Sequence, residues 1–160
     1  MSLTEVLLSL AIMIGVIAGV AVNYANVKER NEEQQVMQGI EMLRANIEQI
    51  YGHNSYTDIS NTLLVESGAV PHSLLKGDTM TSPWGTITVS APSSTTYSIA
   101  LENLPVAACR TLASLSTTSW KSVSVDDTVL FDRTERSVVN PSSILTACNG
   151  DSRSVTFVGP

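Results

Sequence analysis

The sequence predicts an α+β protein in which a long N-terminal helix packs on an antiparallel β-sheet domain with a C-terminal region bounded by two cysteines. The first observation behind this is an apolar run, Leu3 to Val22, that continues to Tyr51 without a proline. The second is the composition of the remaining chain, which is rich in serine, threonine and valine and poor in aromatics, as is typical of strands and turns. The third is the position of Cys109 and Cys148, the only cysteines, beyond the apolar run.

The predicted helix begins at Ser2 and Glu5, which have the Ser-x-x-Glu spacing of a capping box. In that motif each side chain bonds the backbone N–H of the other residue. From Leu3 to Val22 the residues are apolar on all sides, and Glu5 is the sole charge. A run of about 20 apolar residues can span a bilayer, and a helix that is apolar all round lies in lipid or inside other protein. Gly15 and Gly19 form a Gly-x-x-x-Gly pair, which lets helices approach closely.

Charged residues appear after Asn23, but a thin apolar stripe continues at spacings of four and three through Val36, Ile40, Leu43, Ile47 and Ile50. This spacing predicts one helical face that packs on a domain. Gly52 predicts the C-terminal end of the helix. We therefore expect one helix of about 50 residues, roughly 75 Å long. It comprises an apolar part at 1–25 and an amphipathic part at 26–52, and a globular domain follows at 53–160.

Short helices and strands are predicted in the rest of the chain. Two helices are expected, at Ser60 to Glu66 and at Pro105 to Leu115, the second with a proline in its first turn. Asp132 to Ser143 predicts an irregular segment, and Ile144 to Cys148 a short helical or extended piece. Alternating residues around turn signals predict two hairpins and a last strand, with strands at Thr86 to Ser90, Tyr97 to Leu101, Trp120 to Val125, Val129 to Phe131 and Val155 to Val158.

Cys109 and Cys148 belong to no Cys-x-x-Cys motif and to no cluster with the two histidines. A structural disulfide is the favoured interpretation, because the apolar N-terminal run suits a protein whose domain lies outside the cytosol. Such a bond would close a loop of roughly 40 residues and stabilise the fold by about 3 to 4 kcal/mol. The alternative is a pair of buried free thiols in a cytosolic domain.

No pattern of chemistry-bearing residues predicts an active site or a cofactor. The net charge is −6 and the basic residues are not grouped, which argues against a nucleic-acid surface. His53 and His72 have no cysteine or carboxylate at metal-ligand spacing and are interpreted as loop histidines. Asp126 and Asp127 favour a turn over a cation site. Because phosphate-binding glycine loops, nucleophile elbows and paired catalytic acids are also missing, we expect that the chain is not an enzyme.

Glu5 is the informative charge in the apolar run. One interpretation is a helix cap at a membrane surface, with Ser2 as its partner. The other is a buried carboxylate that needs a cation, and the helix has no lysine or arginine before Lys28. The nearest candidate is the α-amino group of Met1, either in the same chain or in a neighbouring subunit. Breaking a buried pair of this kind costs on the order of 3 to 5 kcal/mol.

The first ten residues, Met1 to Leu10, resemble the mature N-terminus of a type IV pilin. The resemblance implies that prepilin peptidase removes a basic leader, that the new N-terminal residue, here Met1, is methylated, and that Glu5 aligns with a glutamate of the family. An ordinary cleavable signal peptide is not expected, because no basic region precedes the apolar run and no Ala-x-Ala site follows it. Either Met1 initiates the chain or a short leader has been removed.

Methionine at the first position and the size of the domain resemble the type IVb branch of the family. That branch carries a long spine helix, an α/β globular domain and a C-terminal disulfide around a variable region, and Cys109 and Cys148 match this layout. The proline that many pilins carry inside the apolar helix is absent here. Any local loosening on assembly would therefore depend on Gly15 and Gly19.

The resemblance implies a subunit that polymerises with copies of itself. It would wait in the inner membrane with Leu3 to Val22 in lipid and its domain in the periplasm, and an assembly ATPase and platform would then move it into an extracellular pilus that passes an outer-membrane secretin. Such a major pilin would serve conjugation or adhesion. Two alternatives remain: a pseudopilin of a type II-like secretion system, and a monomeric membrane-tethered binding or sensor domain.

Overall fold

The computed structural model describes residues 2–52, 55–115 and 119–160, without the side chains of residues 13, 15–19 and 21–23. Met1 and His53 therefore lie outside the described residues. The chain divides into two compact units, Met1–Gln34 and Gln35–Pro160.

One uninterrupted helix, α1, spans Leu3–Tyr51 and contributes residues to both units, which confirms the prediction of a single long helix. It ends at Gly52, whose N–H donates to the carbonyl of Glu48 at 2.8 Å. A Cβ at Gly52 would collide with that carbonyl oxygen, so the helix end requires a glycine. In the described part of the chain, no helix is both long and apolar enough to cross a membrane. The predicted span, Leu3 to Val22, includes side chains outside that part and stays a prediction.

In the unit formed by Gln35–Pro160, α1 buries one stripe of side chains. Val36, Ile40, Leu43 and Ile47 are each at most 1% exposed, which confirms four of the five residues predicted for this face. The prediction for Ile50 was wrong, since its side chain is 45% exposed. The reason is that α1 ends one residue later, and Tyr51 instead packs against the core at the last turn.

The second unit contains three further helices, a short 3₁₀ helix and seven strands among the described residues. The helices are α2 (Asn61–Glu66), the 3₁₀ helix (His72–Leu74), α3 (Val106–Ala113) and α4 (Pro141–Ala147). The strands are β1 (Leu75–Lys76), β2 (Thr79–Met80), β3 (Ile87–Ser93), β4 (Thr96–Leu104), β5 (Ser122–Val125), β6 (Thr128–Asp132) and β7 (Arg153–Gly159).

Five of the strands form one antiparallel sheet in the order β3-β4-β7-β5-β6. Both predicted hairpins, β3 with β4 and β5 with β6, are present, and the C-terminal strand β7 joins them in the centre. The alternate residues that face the core are buried, such as Ile99 of β4 and Phe157 of β7. Because β7 completes the sheet, the fold needs the last residues of the chain.

Two segments differ from the sequence prediction. The segment Asp132 to Ser143 was predicted to be irregular throughout, but α4 begins inside it at Pro141. Asn140 caps this helix, with its side chain accepting a hydrogen bond from the N–H of Ser142. Proline at a first helical position and asparagine at the N-cap are helix-start signals that outweigh the polar composition here. The small hairpin of β1 and β2 was not predicted, because its two-residue strands are too short to show alternation.

Candidate functional site

The start of α1 holds the carboxylate of Glu5 against its own backbone. The N–H of Ser2 donates to Glu5 Oε2 at 3.1 Å. The hydroxyl of Ser2 lies 3.1 Å from Thr4 Oγ1 instead of capping Glu5, whose N–H donates to the carbonyl of Ser2 at 3.1 Å. The predicted capping box was therefore wrong in one of its two bonds, because Thr4 takes the serine hydroxyl.

Glu5 has room for a second partner. Its side chain is exposed, and no lysine or arginine within the described ranges forms an ion pair with it. Met1, the predicted partner and methylation site, lies outside the described residues. Gly15 and Gly19 lie within α1, but they also belong to the residues whose packing is not described. The assembly roles of these residues stay predictions.

Apolar side chains surround Glu5 on all sides of α1. Leucines 3, 7 and 8 are 81%, 59% and 67% exposed, and the pattern continues along the helix. Because these exposed residues are consecutive as well as spaced by turns, they cover the whole circumference and do not form one stripe. Among the side chains that the structure describes, the large exposed apolar residues of the first unit are Leu3, Val6, Leu7, Leu8, Leu10, Ile12, Ile14, Val20, Tyr24 and Val27.

The two cysteines form a disulfide in the second unit. Cys109 of α3 and Cys148, which caps the C-terminus of α4, are joined with a Cα–Cα distance of 5.7 Å, and both are fully buried. The predicted disulfide is confirmed, and the alternative of two free thiols was wrong. The chain between the two cysteines includes β5, β6 and α4, so the disulfide links the end of α4 to α3.

A polar network connects α1 with the sheet. Arg44 binds Glu41 at 3.2 Å and Glu48 at 3.0 Å, and its guanidinium lies 5.7 Å from the ring centre of Trp120. The hydroxyl of the fully buried Tyr97 donates to Glu48 Oε1 at 2.9 Å. The helical spacing of the three charged residues was visible in the sequence, but it gave no signal for the tyrosine 49 positions away.

The network fixes the charge of its members. Burial, reinforced by the hydrogen bond to Glu48, raises the pKa of Tyr97, so this hydroxyl remains a donor. Burial alone would lower the pKa of Arg44, but the carboxylates of Glu48 and Glu41 outweigh it and the net shift is upward. Arg44 therefore stays cationic while it packs over an aromatic ring.

The predicted turn at Asp126 and Asp127 connects β5 with β6 and borders a cavity of about 520 Å³. Asp126 accepts hydrogen bonds from Arg153 Nη1 at 2.8 Å and from the N–H of Ser154 at 3.0 Å. Burial alone would raise the pKa of Asp126, but these two donors outweigh it and lower that pKa. Within the described ranges no group of three potential metal-ligating side chains occurs.

A model of one protein family covers most of the chain. The model described as PilS N terminal matches residues 27–159. The chain belongs to the PilS N-terminal family. No curated protein matches this member of the PilS N-terminal family.

Two solved structures share the fold of this PilS-family chain. TcpA, a type IV pilin from the Vibrio cholerae El Tor biotype, is 13% identical with a TM-score of 0.59, and the match covers 81% of this chain and 99% of that one. The type IVb pilin from Salmonella typhi is 15% identical with a TM-score of 0.57, and the match covers 79% of this chain and 94% of that one. The predicted resemblance to type IVb pilins and the predicted fold class are confirmed.

Proposed function

We propose that this chain is the structural subunit of a type IV pilus, polymerising through the N-terminal part of α1 into a filament on the bacterial surface. The observation that carries the proposal is the ring of exposed apolar side chains around Glu5, which includes Leu3, Leu7 and Ile12. Membership of the PilS N-terminal family and the type IVb pilin fold support it. The subunit has a structural role and is not an enzyme.

The exposed apolar side chains around Glu5 need an environment other than water. Burying one leucine, isoleucine or valine side chain is worth about 1.5 to 3 kcal/mol, so this segment is unfavourable in water. Lipid covers it first, with Leu3 to Val22 in the inner membrane and the domain in the periplasm. Copies of the same segment cover it in the filament. Because lipid is as apolar as another helix, the transfer itself gains little, and packing must select the assembled state.

Glu5 sets the register of that packing by pairing with the Met1 amine of a neighbouring copy. Its bond to the N–H of Ser2 holds the carboxylate at the helix start and leaves acceptor capacity for a second donor. Within an apolar bundle an unpaired carboxylate is costly, which penalises every register that lacks the amine. Methylation of Met1 would retain the positive charge that this pair requires.

Close helix packing in the filament is assigned to Gly15 and Gly19. Small residues four apart let two helix backbones approach within van der Waals contact of each other. Glycine also weakens a helix by up to about 1 kcal/mol per residue, so the same segment is where α1 can loosen as it leaves the membrane.

The cellular route follows that of the pilin family. Prepilin peptidase removes a leader and methylation modifies Met1, an assembly ATPase and its platform extract the subunit from the inner membrane, and an outer-membrane secretin passes the filament. The extracellular pilus then serves conjugation or adhesion.

The test is electron microscopy of material sheared from cells that express the full chain, with mass spectrometry of the N-terminus. We expect filaments built from subunits that begin at a methylated Met1. Short stubs confined to the periplasm would favour a pseudopilin, and a detergent-extracted monomer with no filament would favour a tethered binding domain. Either result would contradict the proposal.

Substitutions at Glu5 separate docking from helix capping. Glu5→Gln keeps an oxygen that accepts from the N–H of Ser2 but removes the charge, and Glu5→Ala removes both. We expect both variants to lose filaments, with the subunit still folded. Glu29→Ala, an exposed glutamate in the same helix, is the matched control and should assemble normally. Normal filament yield from Glu5→Gln would contradict the docking role.

A further inference from the structure

Strand β3 lies at one edge of the five-stranded sheet, so one side of its backbone has no neighbouring strand among the described residues. The N–H of Glu102 in β4 donates to the carbonyl of Thr86, which places the polar groups of Thr86 toward β4. Because these groups alternate along a strand, those of Ile87 and Val89 point outward. A row of outward N–H and C=O groups is a template for pairing with another chain.

The side chain of Asn61 occupies this row. Its Nδ2 donates to the carbonyl of Ile87 at 2.8 Å, and its Oδ1 accepts from the N–H of Val89 at 2.7 Å. A side-chain amide carries the same donor and acceptor as a peptide group. Asn61 therefore takes the two bonds that one residue of an added strand would make.

Helix α2 holds Asn61 in this position. Ser60 caps the helix, with its side chain accepting from the N–H of Leu63, and Asn61 is the first helical residue. Ile59 and Leu64, on either side, are buried in the core and fix the helix against the sheet. The backbone of Asn61 is thus held beside β3 by these two buried neighbours.

The remaining length of β3 is closed as well. Thr86 is bridged to Thr81 just before the strand begins. A register shift lies between Ser90 and Ser93, and Pro92 within it has no N–H to offer. Bulges and prolines both hinder the addition of a strand. The part of β3 that could still pair regularly with another strand therefore contains Ile87 and Val89, the two residues that Asn61 binds.

The opposite edge carries the same kind of closure. In β6 the N–H of Asp132 donates to the hydroxyl of Ser137 at 2.7 Å, and the N–H of Ser137 donates to the carbonyl of Asp132 at 3.2 Å. A register shift separates this pair from Val129. Both edges of the sheet are therefore occupied by a residue that is not part of a strand.

We propose that Asn61 closes the β3 edge against strand addition by a second copy of this chain. The inference holds whether or not the chain forms a pilus, since it concerns the route by which folded copies are kept from associating. A second copy is the occupant that matters, because its own β3 has the same length and spacing as the template. With the edge closed, association is left to other surfaces of the molecule.

The test compares Asn61→Ala with Asn140→Ala in the full-length protein in detergent. Asn140 caps α4 and touches no strand edge, so its variant controls for the loss of an asparagine that caps or anchors a helix. We expect the Val89 amide of Asn61→Ala to exchange hydrogen about tenfold faster. We also expect concentration-dependent dimers or larger species by sedimentation, and neither effect in Asn140→Ala.

Three results would overturn the proposal. One is rapid exchange of the Val89 amide in the unchanged protein, which would mean that the edge is open already. The second is faster exchange in Asn61→Ala without added association. The third is equal association of both variants. If Asn61→Ala does not fold, Asn61→Ser, which lacks the amide that spans Ile87 and Val89, takes its place, and the same measurements and outcomes apply to it.

Discussion

Leucine side chains are exposed in the first part of α1 and buried in the second part. Before Gln35, leucines 7 and 10 are 59% and 56% exposed, while Leu43 in the second unit is fully buried. The difference follows from pattern rather than from composition. From Leu3 to Val22 the first part is apolar on every side, whereas the second buries most of its apolar residues in one stripe and places charges elsewhere.

The helix α1 therefore has two kinds of apolar surface, and each needs a different packing partner. The stripe that includes Ile40 and Ile47 is completed by the sheet of its own unit, and the result is a closed core with a disulfide. No single stripe could complete the first part, because a helix that is apolar all round needs neighbours on all sides. Folding stability should thus reside in the second unit, and association in the first.

The largest effect should come from removing the disulfide. Replacing Cys109 and Cys148 together by alanine frees a loop with a sequence separation of 39, which the chain-entropy relation converts to a loss of about 4 kcal/mol in the free energy of unfolding. The measurement is chemical denaturation of the detergent-solubilised chain followed by near-ultraviolet circular dichroism, which reports the buried aromatics of the second unit.

Reduction of the unchanged protein is the control for that measurement. It should reproduce the loss, and reductant should have no effect on the double variant. The far-ultraviolet helical signal from the first part of α1 should persist after the near-ultraviolet signal of the second unit has been lost. Simultaneous loss of the two signals would contradict the separation of folding from association.

A matched pair of leucines tests the comparison directly. Leu43→Ala opens a cavity in the core and should lower the free energy of unfolding by about 3 kcal/mol. Leu7→Ala, at an exposed site, should change it by less than about 0.5 kcal/mol and should instead reduce the yield of sheared filaments. Denaturation and filament yield are measured on both variants. If Leu7→Ala unfolded the domain, or left filaments unchanged, the comparison would fail.

Local periodicity explains how much of the fold was predictable. The burial of Val36, Ile40, Leu43 and Ile47 follows from their spacing, because only that spacing puts side chains on one side of a helix. Ile50 has the same spacing but lies in the last turn, where the end of the helix and not its period sets exposure.

The contacts that the sequence did not reveal join residues far apart in the chain. Tyr97 reaches Glu48, and Asn61 reaches Ile87 and Val89, through the packing of one element on another. No local pattern encodes such a pair, because the distance between elements depends on the register of the whole sheet. Glu5 could be singled out as a candidate for the opposite reason, since a charge within an apolar run is a local anomaly.

A smaller effect is expected from the bond between helix and sheet. Tyr97→Phe removes the hydroxyl that donates to Glu48 but keeps the ring, and it should lower the free energy of unfolding by about 1.5 kcal/mol. The loss is limited because Arg44 still neutralises Glu48. Tyr24→Phe, in the first unit and 71% exposed, is the matched control and should change stability by less than about 0.5 kcal/mol. Equal effects of the two substitutions in denaturation would show that the network adds nothing.

The smallest effect concerns acid stability, and it too should belong to the second unit. Bonds from Ser154 and Arg153 outweigh burial and hold the pKa of Asp126 below its ordinary value of 3.8 in the folded state. A group whose folded pKa is depressed stabilises the fold above its unfolded pKa, and this contribution is lost as pH falls through the folded pKa. Because the Asp126 side chain is 38% exposed, solvent screening limits the effect to less than about 1 kcal/mol.

The variant Asp126→Asn should therefore be slightly less stable than the unchanged protein at neutral pH, and the difference should shrink as the pH falls below about 3.8. Thermal denaturation across this range measures it. Asp127→Asn is the matched control, since the neighbouring carboxylate forms no ion pair within the described ranges and should show no such convergence. A stability difference that stayed constant with pH would assign the role of Asp126 to the shape of the turn, because loss of a charge interaction must vanish once the carboxylate is protonated.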